Sequence, residues 1–116
     1  MTGLIFAMLI GIHGNIIQEP QLIRTTCYIA TGNKTASGVY PKEGMIAGRK
    51  EDIGKTAILY DKDMNYIGMF EITDTGGKPI RSGKVIDVYR DNIERVYEWS
   101  EEYGDYTYVQ IIDCEG

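Results

Sequence analysis

The sequence contains very little histidine and cysteine: among its 116 residues are one histidine, His13, and two cysteines, Cys27 and Cys114. This shortage argues against a Cys/His metal site of the usual kind and against histidine-dependent nucleophilic catalysis. Two cysteines are also too few for a disulfide scaffold. They leave open either one bridge between Cys27 and Cys114 or two buried thiols.

Positive charge is also in short supply, because 12 Lys and Arg residues stand against 17 Asp and Glu residues. The formal net charge of -5 argues against nucleic-acid binding, which needs a basic face for phosphates. The glycines of "TGN" and "TGG" do not follow the spacing of a P-loop or a dinucleotide-binding loop. The length and a 43% hydrophobic composition are typical of one folded globular domain.

The N-terminus holds an apolar run, "LIFAMLIGI", which is too short to span a bilayer but fits the core of a signal peptide. No Lys or Arg precedes the run, and "GIHGN" is a poor cleavage context. Residues 1–21 are therefore predicted either as an export or membrane-associated segment or as a segment that packs on the domain or on a partner. The matching locations are the cell envelope, the extracellular space or a phage particle.

Residues 22–116 form the predicted domain, in which short strands alternate with turns rich in Gly, Asn, Ser and Pro. The predicted strands lie in "QLIRTTCYIAT", "MIAG", "TAILYD", "YIGMFEIT", "KVIDVY" and "YTYVQIID". Six strands in so short a chain favour a small closed barrel, because closure removes exposed strand edges. The sequence thus predicts an all-β fold.

One short α-helix is predicted at about residues 91–103. Asp91 is a suitable N-cap, Glu94 resembles the second residue of a capping box, and Gly104 is placed to end the helix. The apolar stripe at helical spacing comprises Ile93, Val96, Tyr97, Trp99 and Tyr103.

The side chains left for chemistry are carboxylates, hydroxyls and a few Lys and Arg, a set suited to acid/base work on glycosidic or similar bonds. Asp74 lies in Asp-Thr-Gly-Gly, which by itself is typical of a turn. Asp87 lies within the apolar strand "KVIDVY", and strand alternation separates it from Ile86 and Val88. If those two fill the barrel, Asp87 lies in a partly dry cleft that raises its pKa; a solvated, outward Asp87 is the alternative.

Two segments, "KTASGVYPKEGMIAG" and "GMFEITDTGGKPIRSGKVIDVY", followed by a short helix and a closing strand, resemble the 3D (Asp-Asp-Asp) domain family. The resemblance covers roughly residues 25–116, and Asp-Thr-Gly-Gly together with Ile-Asp-Val-Tyr carries most of it. Members of this family are double-psi β-barrels related to MltA-type lytic transglycosylases and more distantly to RlpA-like barrels. The resemblance therefore implies a six-stranded double-psi barrel.

The resemblance also implies cleavage of peptidoglycan glycan strands without water, with no cofactor and no metal. By motif position, Asp87 is the acid/base and Asp74 its partner. The residues implied to line the cleft or bind substrate are Thr35, Ser37, Thr75, Gly76 and Gly77. Thr35 and Ser37 are equally compatible with a turn.

The sequence departs from the family pattern at two places. Gly48 stands where the first family aspartate is expected, and Asp52 is the nearby carboxylate able to replace it. Asp74 and Asp87 lie 13 positions apart, about two more than the pattern, with the surplus in "KPIRSG". The missing aspartate motivates a rival interpretation, a non-catalytic barrel that binds glycan strands or a protein partner. A third interpretation is a structural component of a phage particle or other assembly, with the apolar N-terminus as its docking segment.

Overall fold

Strands make up most of the regular secondary structure of the described residues. The computed structural model describes residues 15–16 and 19–113. Its strands are β1 (Asn15–Ile16), β2 (Gln21–Tyr28), β3 (Met45–Ala47), β4 (Thr56–Tyr60), β5 (Tyr66–Asp74), β6 (Val85–Tyr89) and β7 (Tyr106–Asp113). Its helices are α1 (Lys78–Arg81) and α2 (Ile93–Tyr103), with a 3-10 turn at Lys50–Asp52. The six strands predicted from residue 22 onward are all present.

The sheet closes on itself into a six-stranded barrel. Neighbouring strands follow the order β7-β2-β6-β3-β5-β4, and β4 pairs in turn with β7. The pairs β2–β6 and β3–β5 are parallel, whereas the other pairs in the barrel are antiparallel. The predicted closed all-β barrel is confirmed, and its topology is compatible with a double-psi barrel. β1 adds to the sheet by pairing antiparallel with β7.

The barrel interior is filled by alternate residues of its strands, as the period of two in a strand requires. Ile86 and Val88 of β6 are both buried, as predicted. Burying each such aliphatic side chain stabilises the fold by roughly 1.5–3 kcal/mol. The buried core consists of Ile46, Ala57, Leu59, Phe70, Ile72, Ile86, Val88, Trp99, Val109 and Ile111.

The hairpin between β4 and β5 forms where "KDMN" predicts a polar turn. Asp61 Oδ1 accepts hydrogen bonds from the backbone N–H groups of Asp63 and Asn65, both at 2.9 Å. Met64 takes the left-handed backbone conformation that closes the turn, with φ of 66°. This hairpin lies at the start of β5, whereas Asp74 lies at its end.

The predicted helix is present, but its N-cap is Asn92 and the prediction of Asp91 was wrong. Asn92 Oδ1 accepts a hydrogen bond from the backbone N–H of Arg95 at 2.9 Å. Asp91 precedes this cap, and its backbone N–H donates to Glu43 Oε2 at 3.0 Å. Gly104 ends the helix as predicted, with φ of 70°.

The connection between β5 and β6 contains a helical turn that the glycine-rich sequence did not indicate. α1 begins after Gly77 and contains Pro79 in its first turn, a position where proline costs no hydrogen bond. A Cβ at Gly76 would lie 2.7 Å from Ile80 Cδ1, so a larger residue there would displace the end of the Ile80 side chain. The surplus residues of the bridge are therefore ordered as a helical turn.

The loop before β3 is tied to the start of α2 through Glu43. Its carboxylate accepts hydrogen bonds from the Arg95 guanidinium at 2.6 and 3.1 Å, and Arg90 Nη1 lies 3.4 Å away. The Arg95 hydrogen bonds outweigh burial and lower the pKa of Glu43 from 4.5 to about 2. The ionised form of Glu43 is thus the one that stabilises the fold.

Replacing Glu43 by glutamine is expected to lower the free energy of unfolding by about 1–2 kcal/mol at neutral pH, since the pair is partly exposed. A pKa lowered on folding gives stability that is present above 4.5 and lost as the pH falls towards 2. The difference from the parent should therefore shrink across that window in urea unfolding. Glu101→Gln on the exposed face of α2 is the control. An equal difference at both ends of the window would contradict the assignment.

Several sequence predictions concern residues outside the described ranges. Residues 1–14, 17–18 and 114–116 are not described, so the apolar run, His13 and the pairing of Cys27 with Cys114 stay predictions. Within residues 15–16 and 19–113, no helix has the length and apolar character needed to cross a membrane.

Candidate active site

The central strand β3 aligns the two predicted aspartates. Ala47 is the register partner of Asp74 on β5 and of Asp87 on β6. Neighbouring strands lie about 4.8 Å apart, so the two aspartates are separated by about 10 Å along the sheet, measured between Cα atoms. A register shift between Ile46 and Ala47 turns β5 at this point. The structure thus brings together two residues that the sequence separates by a 12-residue connection.

Asp87 is half-buried on the side of β6 opposite Ile86 and Val88. Thr26 Oγ1 on β2 donates a hydrogen bond to Asp87 Oδ1 at 2.8 Å, and Thr26 is also its register partner in the parallel β2–β6 pair. Burial raises the pKa of Asp87, the Thr26 hydrogen bond opposes this, and the negative charge of Asp74 raises the pKa further. Asp87 therefore has the raised pKa expected of a general acid.

Asp74 lies at the end of β5 with one carboxylate oxygen engaged. Its Oδ1 accepts hydrogen bonds from the backbone N–H groups of Ala36 at 3.0 Å and Thr75 at 2.9 Å. Asp74 therefore orders the turn that follows it, and its charge also acts on Asp87. The turn and site interpretations of Asp74 are both compatible with this geometry.

The loop that contains Thr35 and Ser37 is brought against Asp74. The backbone N–H of Ser37 donates to the Thr73 carbonyl oxygen at 3.0 Å, next to the Ala36 contact with Asp74. Thr35 is buried, and its Oγ1 donates to the Val39 carbonyl oxygen at 2.9 Å and lies 2.9 Å from Ser37 Oγ. Thr35 thus holds the loop in shape, and exposed Ser37 is the member available to a ligand.

The three residues after Asp74 differ in what they offer to a ligand. Thr75 Oγ1 is buried and has no hydrogen-bond partner among the described residues. Gly76 packs against Ile80, and Gly77 precedes α1 as its N-cap. Thr75 alone of the three adds a side-chain polar group to the site.

Two residues of the site, Thr26 and Tyr28, were missed by the sequence prediction. Both lie on β2 on the same face, and Tyr28 packs edge-on against Tyr89 of β6 with ring centroids 5.4 Å apart. The alternation in "TTCY" places them on one face. Thr26 and Asp87 are 61 positions apart in the sequence. No local signal reveals that β2 pairs in parallel with a strand so far along the chain.

The structure does not bring Asp52 to the aspartate pair. Asp52 is buried beside the 3-10 turn, where Arg49 Nε and Lys55 Nζ bind its oxygens at 2.8 and 3.0 Å. Burial alone would raise the pKa of Asp52, but these hydrogen bonds lower it below its usual value. Asp52 is therefore a structural carboxylate.

Gly48, unlike Asp52, lies near the aspartate pair, since its N–H donates to the Asp74 carbonyl oxygen at 3.0 Å.

The barrel end beside Gly48 contains a separate cavity of about 140 Å³, lined by residues that include Arg49, Asp52 and Gly83. Neither Asp74 nor Asp87 lines it, so the aspartate pair does not open into this cavity. Within the described ranges, no group of three or more His, Cys, Asp and Glu side chains is arranged to hold a metal ion.

Comparison with known proteins identifies one relative. The chain is 37% identical over 82 residues to the B-enzyme of Bacillus subtilis, a match that covers 56% of this chain and 70% of the B-enzyme. This chain belongs to the B-enzyme family. No protein-family model matches the chain, so the resemblance to the 3D domain stays a prediction.

Two substitutions in this chain should move the pKa of Asp87 in opposite directions. Asp74→Asn removes a negative charge that raises the pKa, so the pKa should fall. Thr26→Val removes a hydrogen bond that lowers the pKa, so it should rise. Carboxyl carbon shifts followed by NMR during a pH titration measure both. Shifts in the same direction, or none for Thr26→Val, would contradict the site geometry. Asp63→Asn in the distant hairpin is the control.

Proposed function

We propose that this member of the B-enzyme family cleaves peptidoglycan glycan strands as a lytic transglycosylase at the MurNAc-GlcNAc bond. The observation that supports this most is the half-buried Asp87, whose pKa is raised by burial and by Asp74 while Thr26 holds its carboxyl group. A carboxylic acid kept protonated above its usual range is what protonation of a glycosidic oxygen requires. The name of the relative, B-enzyme, is in keeping with a catalytic role.

In the proposed reaction, protonated Asp87 gives its proton to the glycosidic oxygen as the C1–O4 bond breaks and the GlcNAc hydroxyl leaves. The Asp87 carboxylate then takes the proton of the muramic acid 6-hydroxyl, whose oxygen forms a bond to C1. The product end carries a 1,6-anhydro ring, no water is consumed, and Asp87 is again protonated. One acid/base group suffices, because the nucleophile belongs to the substrate; the reaction therefore needs no cofactor.

The remaining residues have supporting roles in this proposal. Asp74 keeps the pKa of Asp87 high through its charge, and Thr26 orients the acid. Substrate contacts come from the loop and turn beside Asp74, where Ser37 and Thr75 are the side chains with groups to offer and Thr35, Gly76 and Gly77 shape the surface.

This function also requires access to the cell wall. The proposal therefore includes export to the cell envelope or the extracellular space, or delivery in a phage particle. Within residues 1–21, the apolar run at residues 4–12 would serve as the signal, or as the contact with a membrane or a partner, whereas Asn15–Ile16 and Gln21 pair with β7.

The second candidate function is a non-catalytic barrel that binds glycan strands or a protein partner, alone or as part of a phage or envelope assembly. Gly48 in place of a third carboxylate favours it, together with the use of Asp74 Oδ1 in two backbone hydrogen bonds. In this case Asp74 and the loop at Ala36 form a binding surface, and Asp87 is not needed for chemistry.

Product analysis distinguishes the two. Purified peptidoglycan incubated with the full chain should release muropeptides that end in anhydro-muramic acid, lighter by one water than the hydrolytic products, as mass spectrometry shows. Release of reducing ends instead would point to hydrolysis and overturn the proposed reaction. Binding of glycan strands without any product, unchanged by Asp87→Asn, would favour the non-catalytic barrel.

A further inference from the structure

Three buried hydroxyl groups near the aspartate pair have no hydrogen-bond partner among the described residues, namely the phenol of Tyr28 and Oγ1 of Thr73 and Thr75. Thr73 is buried as a whole residue, whereas Tyr28 and Thr75 are partly exposed residues, which leaves these two within reach of a ligand. A buried hydroxyl left unpaired costs folding free energy, so native proteins seldom keep one without a use. Two such groups beside the same pair of carboxylates indicate that their partner comes from outside the chain.

Tyr28 is held beside Asp87 by the pairing of β2 with β6. Thr26 and Tyr28 lie two residues apart and therefore face the same side of β2. Their register partners on β6 are Asp87 and Tyr89, and Tyr28 packs edge-on against the Tyr89 ring at an interplanar angle of 71°. A rigid aromatic contact thus positions the Tyr28 ring on the face of the sheet that carries Asp87.

Thr75 directly follows Asp74 in the chain. Its backbone N–H is fixed by the hydrogen bond to Asp74 Oδ1, so its side chain is anchored at the carboxylate. The charge of Asp74 also acts on the Tyr28 phenol, more strongly than that of Asp87, so both residues with unpaired hydroxyls are close to Asp74.

The charge around Tyr28 determines which ligand group it binds. Burial and the negative charges of Asp74 and Asp87 raise the pKa of Tyr28 to about 12, so its hydroxyl stays protonated and able to donate. The same negative field disfavours an anionic acceptor at this place. The acceptors that remain are neutral oxygens, such as those of sugar hydroxyl and acetamido groups.

We propose that Tyr28 is a substrate-binding residue that donates a hydrogen bond to a neutral oxygen of a carbohydrate, with Thr75 holding the same ligand beside Asp74. The carbohydrate class rests on the proposed function; the demand for an external partner rests on the buried hydroxyls themselves. Tyr28 differs from a structural tyrosine in one measurable way, because its hydroxyl contributes nothing to folding.

The test is Tyr28→Phe in the full chain, which removes the hydroxyl and keeps the ring contact with Tyr89. Binding is measured in the Asp87→Asn background with uncross-linked peptidoglycan glycan strands, and stability by thermal unfolding. We expect binding to weaken about tenfold, as loss of one hydrogen bond implies, while the unfolding midpoint stays equal or rises. Tyr97→Phe, at an exposed position of α2, is the matched control and should change neither value.

The outcomes separate this proposal from the proposed function. Tyr28-dependent binding by a parent that forms no anhydro product supports the binding role and overturns the transglycosylase reaction. Formation of the anhydro product by the parent, with unchanged binding by Tyr28→Phe, supports the transglycosylase reaction and overturns the binding role of Tyr28. A clear drop in the unfolding midpoint for Tyr28→Phe, without one for Tyr97→Phe, shows a structural hydroxyl and overturns the binding role. A parent that neither binds nor cleaves the strands overturns both.

Discussion

Replacing Asp87 by asparagine is expected to lower the rate of anhydro-muropeptide formation by about 10²–10⁴-fold, the usual contribution of one acid/base group. Asparagine keeps the size of the side chain and still accepts the Thr26 hydrogen bond, but it has no proton of suitable acidity to transfer. Time courses of product release by the parent and the variant measure the effect. Binding of glycan strands should persist, since the substitution leaves the surface around Asp74 and Tyr28 unchanged.

The stability of the same variant provides a second readout. Because the pKa of Asp87 is raised on folding, its contribution to stability is present below the usual aspartate pKa and is lost as the pH rises through the raised value. Above that raised pKa the ionised group opposes folding, so Asp87→Asn should there unfold at an equal or higher temperature than the parent. Asp63→Asn, in the hairpin at the other end of β5, should change neither rate nor midpoint. An active Asp87→Asn would remove Asp87 from the reaction.

Replacing Trp99 by alanine is expected to cost about 3–5 kcal/mol of unfolding free energy, among the largest losses from one side chain. Trp99 is 4% exposed and packs against Phe70, with ring centroids 6.0 Å apart, and against Tyr103 at 4.6 Å. Its removal leaves a cavity between α2 and the barrel that the surrounding strands are too rigid to fill. Urea unfolding followed by circular dichroism measures the loss.

Tyr97→Ala on the same helix is the matched control, because it removes a large aromatic side chain that is 65% exposed. Tyr97→Ala should lower the free energy of unfolding by less than about 1 kcal/mol, as surface substitutions usually do. Equal losses for the two variants would show that α2 does not dock through Trp99.

The strands and their faces were predictable from local pattern. In β6, Ile86 and Val88 alternate with Asp87, and a period of two permits only one way of burying both aliphatic residues. The turn at Asp61–Asn65 and the helix end at Gly104 were predictable for a similar reason, since each depends on the residues of its own segment.

The helix shows where local pattern stops being enough. Asp91 and Asn92 are both good N-caps by residue type. Asn92 caps the helix, and Glu43 binds the N–H of Asp91 from a loop 48 residues away. The spacing of Tyr97 and Trp99 made both part of one apolar stripe. The direction in which α2 docks buries only Trp99, and that direction depends on the shape of the barrel.

The candidate site also combines features that the sequence determines with features that only the tertiary structure determines. The sequence determined that carboxylates are the candidate acid/base groups, because histidine and cysteine are nearly absent, and that Asp87 leaves the barrel interior. Only the tertiary structure placed Thr26 and Tyr28 beside Asp87, Asp74 across Ala47 from it, and Asp52 in a separate ion pair. The physical reason is that strand alternation is set by neighbouring residues, whereas parallel pairing and barrel closure join segments far apart in the chain and depend on the packing of the whole core.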